Sequence, residues 1–551
     1  MISLFLFFGC LFLTLLFTPY LIKFYKRTGI VDIPGGRRIH KRVIPKMGGV
    51  FFSFIGLVII SVFLFNQPNV IYLISSFLII VLCGIFDDIY DIKCLTKFAV
   101  QNISSLLLVI YFIPQIETIE FFGILIPQYF QFILLHLFIV GTLNAINLLD
   151  GLDGLVSGFS LLIFSVVLVV SVITGNFFVT VLSASLMGAL IGFLRYNSFP
   201  ASIFLGDTGS LTLGFLLIFC TINTGLSLAT NNLNLTVPLM LLALPVIDCI
   251  KVFVQRIIKR QNPFSADLKH IHFQLLRMGL SHKFSVFFLE LITLTYIFIT
   301  LIYLRGMHFW GISFFIIISL FIVSFKPFVK FLSGFKVIVL SLKSITQINS
   351  IYHKAIKLNF ILLLGIVFTI KIIYSLPTDS LINSEVLFGL MIISGVFLLT
   401  TFVQQKMLKK IFEPNVFLNL TFFFLISSFA SGYDSNLQNL SIISGMQLFI
   451  VYGLAIPFGI ILLNSRTADE GSDWLTGIDL SLAALVMLIL LTDLIFNHYA
   501  ITIISNCLLE AFIFYFIYKV IIRTIKKADK VLTAISFMLP PLALSILFII
   551  N

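Results

Sequence analysis

The chain has 551 residues, of which 60% are hydrophobic, 15% aromatic and only 11% charged, and its mean hydropathy is +1.14. A water-facing surface needs roughly 25% charged residues, so the solvent for most of this chain is lipid, which excludes a soluble enzyme, a nucleic-acid-binding module and a disordered scaffold. The net charge of +12 then reads as a topology signal, with basic loops held on the cytoplasmic side. Cys10, Cys83, Cys94, Cys220, Cys249 and Cys507 show no CxxC spacing and read as packing residues, with neither a disulfide framework nor a zinc site.

The first apolar run, 1–22, lacks a basic leader and an A-x-A cleavage site and is followed by Lys23, Lys26 and Arg27, so it reads as a retained span entering the cytoplasm. Further apolar runs near 47–65, 70–86, 98–114, 128–146, 155–174, 177–194, 206–226, 235–253, 284–304 and 308–325 are long enough to cross a bilayer as helices. Seven more lie near 358–377, 386–403, 415–430, 444–463, 476–494, 497–518 and 531–550. The expected fold is an all-α polytopic membrane bundle of about eighteen transmembrane helices. With alternating loops, every Lys and Arg except Arg305 and Lys371 falls on or beside an inner loop. The polar residues that call for explanation precede residue 283, so the chain divides near 325 into a core, 1–325, and an additional membrane domain, 326–551.

Five polar clusters fall at span ends on the cytoplasmic face, where desolvation makes them informative. The first, Asp32-Ile-Pro-Gly-Gly-Arg37-Arg38-Ile-His40, reads either as a basic loop on anionic lipid or as a phosphate-binding segment with Arg37 and Arg38 as donors. The second, Asp87-Asp88-Ile-Tyr-Asp91, places three carboxylates on about one turn of a continuing helix and reads either as a solvated helix end or as a repulsion that a cation or protonation must relieve. The third sets Asn144, Asn147, Asp150 and Asp153 at three-residue intervals before a glycine break. The fourth, Phe204-Leu-Gly206-Asp207-Thr-Gly209-Ser210, reads as a turn opening a helix, where free N–H groups attract phosphate, or as an Asp N-cap. The fifth runs from Asp248 through Arg256, Lys259 and Arg260 to Asp267, His270, His272 and His282. In an extended loop His270 and His272 point to one side, and imidazoles beside cations suit an anionic substrate better than a metal pair.

Acids and amides gathered on one membrane face hold Mg²⁺ or Mn²⁺ through hard oxygen ligands, and such an ion beside basic residues stabilises a diphosphate during phosphoryl transfer. The residues therefore point to phosphoryl transfer between a water-soluble diphosphate and a lipid. The rival class is a secondary transporter or lipid flippase. Transporters keep ionisable residues near the midplane, as Glu290, Asp493 and Glu510 in or near apolar runs would suggest, but the richest clusters here sit at span ends.

DDIYD at 87–91, NAINLLDGLDGL at 144–155, FLGDTGS at 204–210, PVID at 245–248 and NPFSADLKHIH at 262–272 together resemble the polyprenyl-phosphate N-acetylhexosamine-1-phosphate transferases over roughly residues 1–305. The stretches 37–49 and 263–276 look more like the branch using UDP-N-acetylglucosamine than the phospho-MurNAc-pentapeptide transferases. Leu268 stands where a basic residue is common and Phe273 where another His is usual. The resemblance implies transfer of a sugar 1-phosphate from a UDP-N-acetylhexosamine to undecaprenyl or another polyprenyl phosphate, with release of UMP, a Mg²⁺ requirement, a bacterial inner-membrane location, a homodimer as one assembly state, and a start to a cell-surface polysaccharide. It implies Asp207 as principal metal ligand with Asn147 assisting, and Asp87 and Asp88 at the lipid phosphate. Asp150 and Asp153 fall near the nucleotide, and His270 and His272 face its diphosphate or sugar. Arg37, Arg38, His40, Asp91, Asn144 and Arg260 complete the expected substrate-binding set.

Overall fold

The computed structural model describes residues 2–34, 42–227, 230–261, 269–324, 477–496 and 515. In chain order these form α1 (Ile2–Thr28), β1 (Val31–Asp32), β2 (Ile44–Pro45), α2 (Val50–Leu64), α3 (Val70–Tyr90), α4 (Cys94–Phe112), β3 (Thr118–Phe121), β4 (Ile124–Ile126), α5 (Gln128–Leu149), α6 (Leu155–Thr174), α7 (Phe177–Asn197) and α8 (Gly206–Gly225). There follow β5 (Asn232–Asn234), α9 (Thr236–Leu241), α10 (Ala243–Ile258), α11 (Ile271–Arg277), α12 (His282–Leu304), α13 (His308–Val323) and α14 (Gly477–Phe496). Among the described residues, eight helices have the length and apolarity to cross a membrane: α1, α3 to α8, and α12. The protein is a polytopic helical membrane protein. The expected spans between 358 and 463 and beyond 497 lie outside the described residues, as do Arg37, Arg38 and His40.

Helices α6, α7 and α8 are buried on nearly every side, while α1, α3, α4 and α5 ring them and turn one face outward. Lipid gives no hydrophobic drive between helices, so contact depends on small residues and interhelical hydrogen bonds. Gly188 and Gly192 of α7 do the first, since a Cβ at either would run into the α1 carbonyls of Phe7 and Leu11. Ser76 of α3 and Ser104 of α4 do the second, each donating its hydroxyl to the other's carbonyl oxygen at 2.7 and 3.0 Å.

Three local features depart from the sequence expectation. The run 235–253 is two helices, because Pro245 lacks an N–H and its ring would strike the carbonyl one turn earlier, so α9 stops at Leu241 and α10 begins afresh. Helix α10 exposes Ile250, Phe253, Val254, Ile257 and Ile258 and buries Asp248, Lys251 and Arg256, an outward apolar face suited to lipid. Two small sheets accompany the helices, β1–β2 and the three-stranded β4-β3-β5. The β3–β4 hairpin turns on Phe122 and Gly123, both at positive φ (51° and 80°), as a two-residue hairpin turn of that hand requires.

One end of the bundle collects the C-termini of α3, α5, α7 and α10 and the N-termini of α4, α6, α8 and α12. This is the end bordered by the basic loops.

Candidate active site

Helix α3 continues past its apolar run and buries Asp87 and Asp88 in its last turns. It stops at Asp91, whose φ of 49° is left-handed and whose side chain is exposed, 3.3 Å from Lys46 Nζ. In the first turn of α4, Lys97 reaches back to pair with Asp87 and, at 3.2 Å, with Asp207 Oδ1. Its ammonium thus stands between two carboxylates from different helices.

Asp207 follows Gly206, whose φ of +74° makes the turn into α8. Asp88 holds that turn: the N–H groups of Asp207 and Thr208 donate to its two carboxylate oxygens at 3.1 and 3.0 Å, and the Thr208 hydroxyl donates at 2.6 Å. This corrects both sequence readings of the fourth cluster. The first N–H groups of α8 are occupied by Asp88 rather than open to phosphate, and the acid that caps the helix comes from α3, not from Asp207. A carboxylate there is favoured by the positive end of the helix dipole. Freed from capping, the Asp207 side chain stays 34% accessible.

Helix α5 brings Asn147 beside α8, where its Oδ1 accepts the Ser210 hydroxyl at 2.7 Å. The helix ends at Asp150, and the loop that follows carries Asp153. Asp153 Oδ2 accepts the Ala201 N–H at 3.0 Å, and its own N–H donates to His282 Nε2 at 2.8 Å. The His282 ring stacks on Phe199 with centroids 4.3 Å apart. Asp150 is accessible and lines the cavity. Its depth, and then the negative charges of Asp207, Asp88 and Asp153, raise its carboxyl pKa well above the ordinary range.

These elements enclose a cavity of about 430 Å³ whose wall includes Asp88, Asp91, Asn147, Asp150, Asp153 and Asp207. Six expected site residues from three separate segments thus meet in one space. Asp87 lies behind the wall, joined to it by Lys97. Asn144 sits one turn deeper in α5, and Arg260 is exposed in the turn after α10, away from the cavity wall.

The two expected histidines do not share an extended loop. His270 caps α11 and His272 lies inside that helix, because Asp248 of α10 draws the segment in: it takes the Ile271 N–H at 3.0 Å and pairs with His270 Nδ1 at 2.9 Å. Their rings remain neighbours, with centroids 5.8 Å apart. His272 packs against Gly151, where a Cβ would strike its ring. Neither of its nitrogens has a hydrogen-bond partner among the described residues. Burial pushes its pKa down to about 4, so the ring is neutral at physiological pH.

Lys97, Lys46, Asn197 and Phe199 escaped the sequence reading as site residues. A lysine one turn inside an apolar helix was the available signal for Lys97. The donor set suits a hard divalent cation: Asp207 presents a carboxylate, Asn147 Oδ1 keeps a second lone pair beyond the one Ser210 uses, and Lys97 already marks the point where the acids require positive charge.

Residues 70–225 match the model of glycosyl transferase family 4. The chain is 32% identical to a probable undecaprenyl-phosphate N-acetylglucosaminyl 1-phosphate transferase of Bacillus subtilis, over 58% of this chain and 92% of the relative. It is 33% identical to the undecaprenyl-phosphate alpha-N-acetylglucosaminyl 1-phosphate transferase of Thermotoga maritima, over 46% of this chain and 76% of the relative. A phospho-N-acetylmuramoyl-pentapeptide-transferase of Leuconostoc mesenteroides is 32% identical over 36% of this chain and 69% of its own length. With its acids converging on one membrane-face cavity and its match to nearly the whole of the first of these relatives, the chain belongs to the polyprenyl-phosphate N-acetylhexosamine-1-phosphate transferases of glycosyl transferase family 4.

Proposed function

We propose that this protein transfers N-acetylglucosamine 1-phosphate from UDP-N-acetylglucosamine to undecaprenyl phosphate at the cytoplasmic face of the bacterial inner membrane, releasing UMP. The observation that carries the reading is the convergence of Asp88, Asn147, Asp150, Asp153 and Asp207 on one cavity at the end of the bundle bordered by basic loops. The apolar outer face of α10 is compatible with a lipid acceptor.

In the reaction an oxygen of the lipid phosphate attacks the phosphorus bonded to the sugar, the diphosphate bond to UMP breaks, and UMP carries away the electron pair. A phosphate monoester is largely ionised near pH 7, so the attack needs no base from Asp87 or Asp88. Asp88 keeps Asp207 aimed into the cavity, and Asp207 with Asn147 would hold Mg²⁺ or Mn²⁺. The bound ion supplies charge neutralisation of the diphosphate. Lys97 offers a second positive group to a phosphate brought near Asp87. His272, 1% exposed and outside the cavity lining, backs Gly151 of the wall. Asp150 and Asp153 face the nucleotide.

The test is product mass analysis after incubating the purified full chain with undecaprenyl phosphate, Mg²⁺ and either UDP-N-acetylglucosamine or UDP-MurNAc-pentapeptide. The reading expects a GlcNAc-diphospholipid and one UMP per product, abolished by Asp207→Asn. Product from the pentapeptide donor alone would move the chain to the peptidoglycan branch, and the absence of UMP with both donors would reject the transferase reading.

A further inference from the structure

Helix α14 lies far outside residues 70–225 of the family match, yet it forms one compact unit with residues 1–328. It packs against α6 and α12. The contact has a polar centre: the Ser481 hydroxyl donates to Glu290 Oε1 at 2.6 Å across 191 residues of sequence, both groups buried. Gly158 of α6 closes the third side, for a Cβ there would occupy the place of Glu290 Oε1. Glu290 is 1% exposed, and its second oxygen has no partner among the described residues. The Ser481 hydroxyl is therefore the hydrogen bond that this carboxyl possesses in an apolar interior, where orphaned polar groups are costly.

Glu290 sits about 12 Å along α12 from His282 at the helix start. His282 receives the Asp153 N–H and stacks on Phe199, and all three line the cavity. Gly158 is likewise little more than one turn from Asp153 on α6. Ser157 beside it donates to Asn197 at 2.9 Å, another cavity residue. Of the two helices that α14 grips, α12 begins at the cavity residue His282 and α6 follows directly on the loop that carries Asp153.

We propose that α14 is a working part of the transferase and that Glu290 is a positioning residue: the Ser481–Glu290 hydrogen bond fixes α12 against α6 and thereby holds His282 in place over Asp153. This rests on reading the cavity as a UDP-sugar site. Phe199, Phe204, Phe273 and His282 supply the aromatic rings of the wall, and of the two proposed substrates only the UDP-sugar brings rings to lie against them. Loosening α12 therefore weakens use of the UDP-sugar and leaves the lipid acceptor untouched. The C-terminal part of the chain acquires in this way a direct mechanical hold on donor binding.

The experiment compares full-length wild type, Ser481→Ala, Glu290→Gln, Glu290→Leu and the Ser481→Ala/Glu290→Leu double variant by UMP release, varying each substrate in turn. Ser481→Ala and Glu290→Leu are expected to raise the KM for UDP-N-acetylglucosamine about three- to tenfold, the effect of one hydrogen bond, with kcat and the KM for undecaprenyl phosphate unchanged. The double variant should be no worse than Glu290→Leu, and Glu290→Gln, whose amide oxygen still accepts the Ser481 hydroxyl, should match wild type. A wild-type KM in Ser481→Ala, an equal rise for both substrates, additive single effects, or Glu290→Gln no better than Glu290→Leu would each overturn the proposal. A wild-type chain that releases no UMP rejects the transferase reading and this inference with it, whereas an active wild type beside an unaltered Ser481→Ala rejects the inference alone.

Discussion

Replacing Asp88 by Asn should cost stability as well as activity, because Asp88 is the acceptor that shapes the turn presenting Asp207. Its carboxylate takes three hydrogen bonds, from Asp207 N–H, Thr208 N–H and the Thr208 hydroxyl, at 3.1, 3.0 and 2.6 Å, in a position 2% exposed. An amide keeps one oxygen. Whichever way it turns, its NH₂ faces at least one of these donors, so one bond is lost outright and the others lose the strengthening that a charged acceptor gives. Hydrogen bonds to charged groups contribute about 1.5–3 kcal/mol each, and charge assistance roughly doubles a neutral bond, so the expected loss is about 3–5 kcal/mol. Thr208→Val removes the hydroxyl alone and should cost about 1.5–3 kcal/mol. Thermal unfolding of the detergent-purified chain would rank the three proteins. In the double variant the effects should fall short of additive, since Thr208 has less to lose once Asp88 is gone. Asp88→Asn unfolding with the wild type would refute the capping role.

Two further outcomes are expected. Lys97→Met leaves Asp87 and Asp207 facing each other without the ammonium, so in chelator the variant should be about 1–3 kcal/mol less stable than wild type. Added Mg²⁺ should restore it more than it stabilises wild type, and equal Mg²⁺ shifts in the two proteins would contradict that placement of charge. His272 has a native pKa pushed by burial from 6.5 to about 4, so the unfolded chain takes up its proton first as pH falls. Its contribution is complete above about pH 6.5 and declines toward pH 4, by about 3 kcal/mol at 1.36 kcal/mol per unit. His272→Phe should flatten the fall in unfolding temperature between pH 6.5 and 4.5, and parallel curves would remove the assignment.

The eight long apolar helices among the described residues were legible because apolar run length is a property of one-dimensional sequence. So was the gathering of acids at one face. The partnerships were not: Asp88 with Thr208 is a contact across 120 residues, and nothing local distinguishes an acid that caps a distant helix from one that faces a substrate. Lys97 counted toward topology as a border charge, although its depth in α4 is what lets it reach both Asp87 and Asp207. The break between α9 and α10 was written in Pro238 and Pro245 but hidden by the hydropathy that runs through both. His270 and His272 were correctly grouped, yet the helix they belong to exists because Asp248 anchors it from elsewhere.

The ammonium of Lys97 has a consequence for the life of the molecule before it meets any substrate. A newly inserted chain already carries part of the compensation its most acidic point needs, one ammonium between two carboxylates. On the proposed reading, a divalent ion settling beside Asp207 would meet a carboxylate already paired with a charge tethered to the backbone. Its occupancy would then follow the free magnesium concentration of the cell, and the lysine, still on its stalk, would be left to meet an incoming anion.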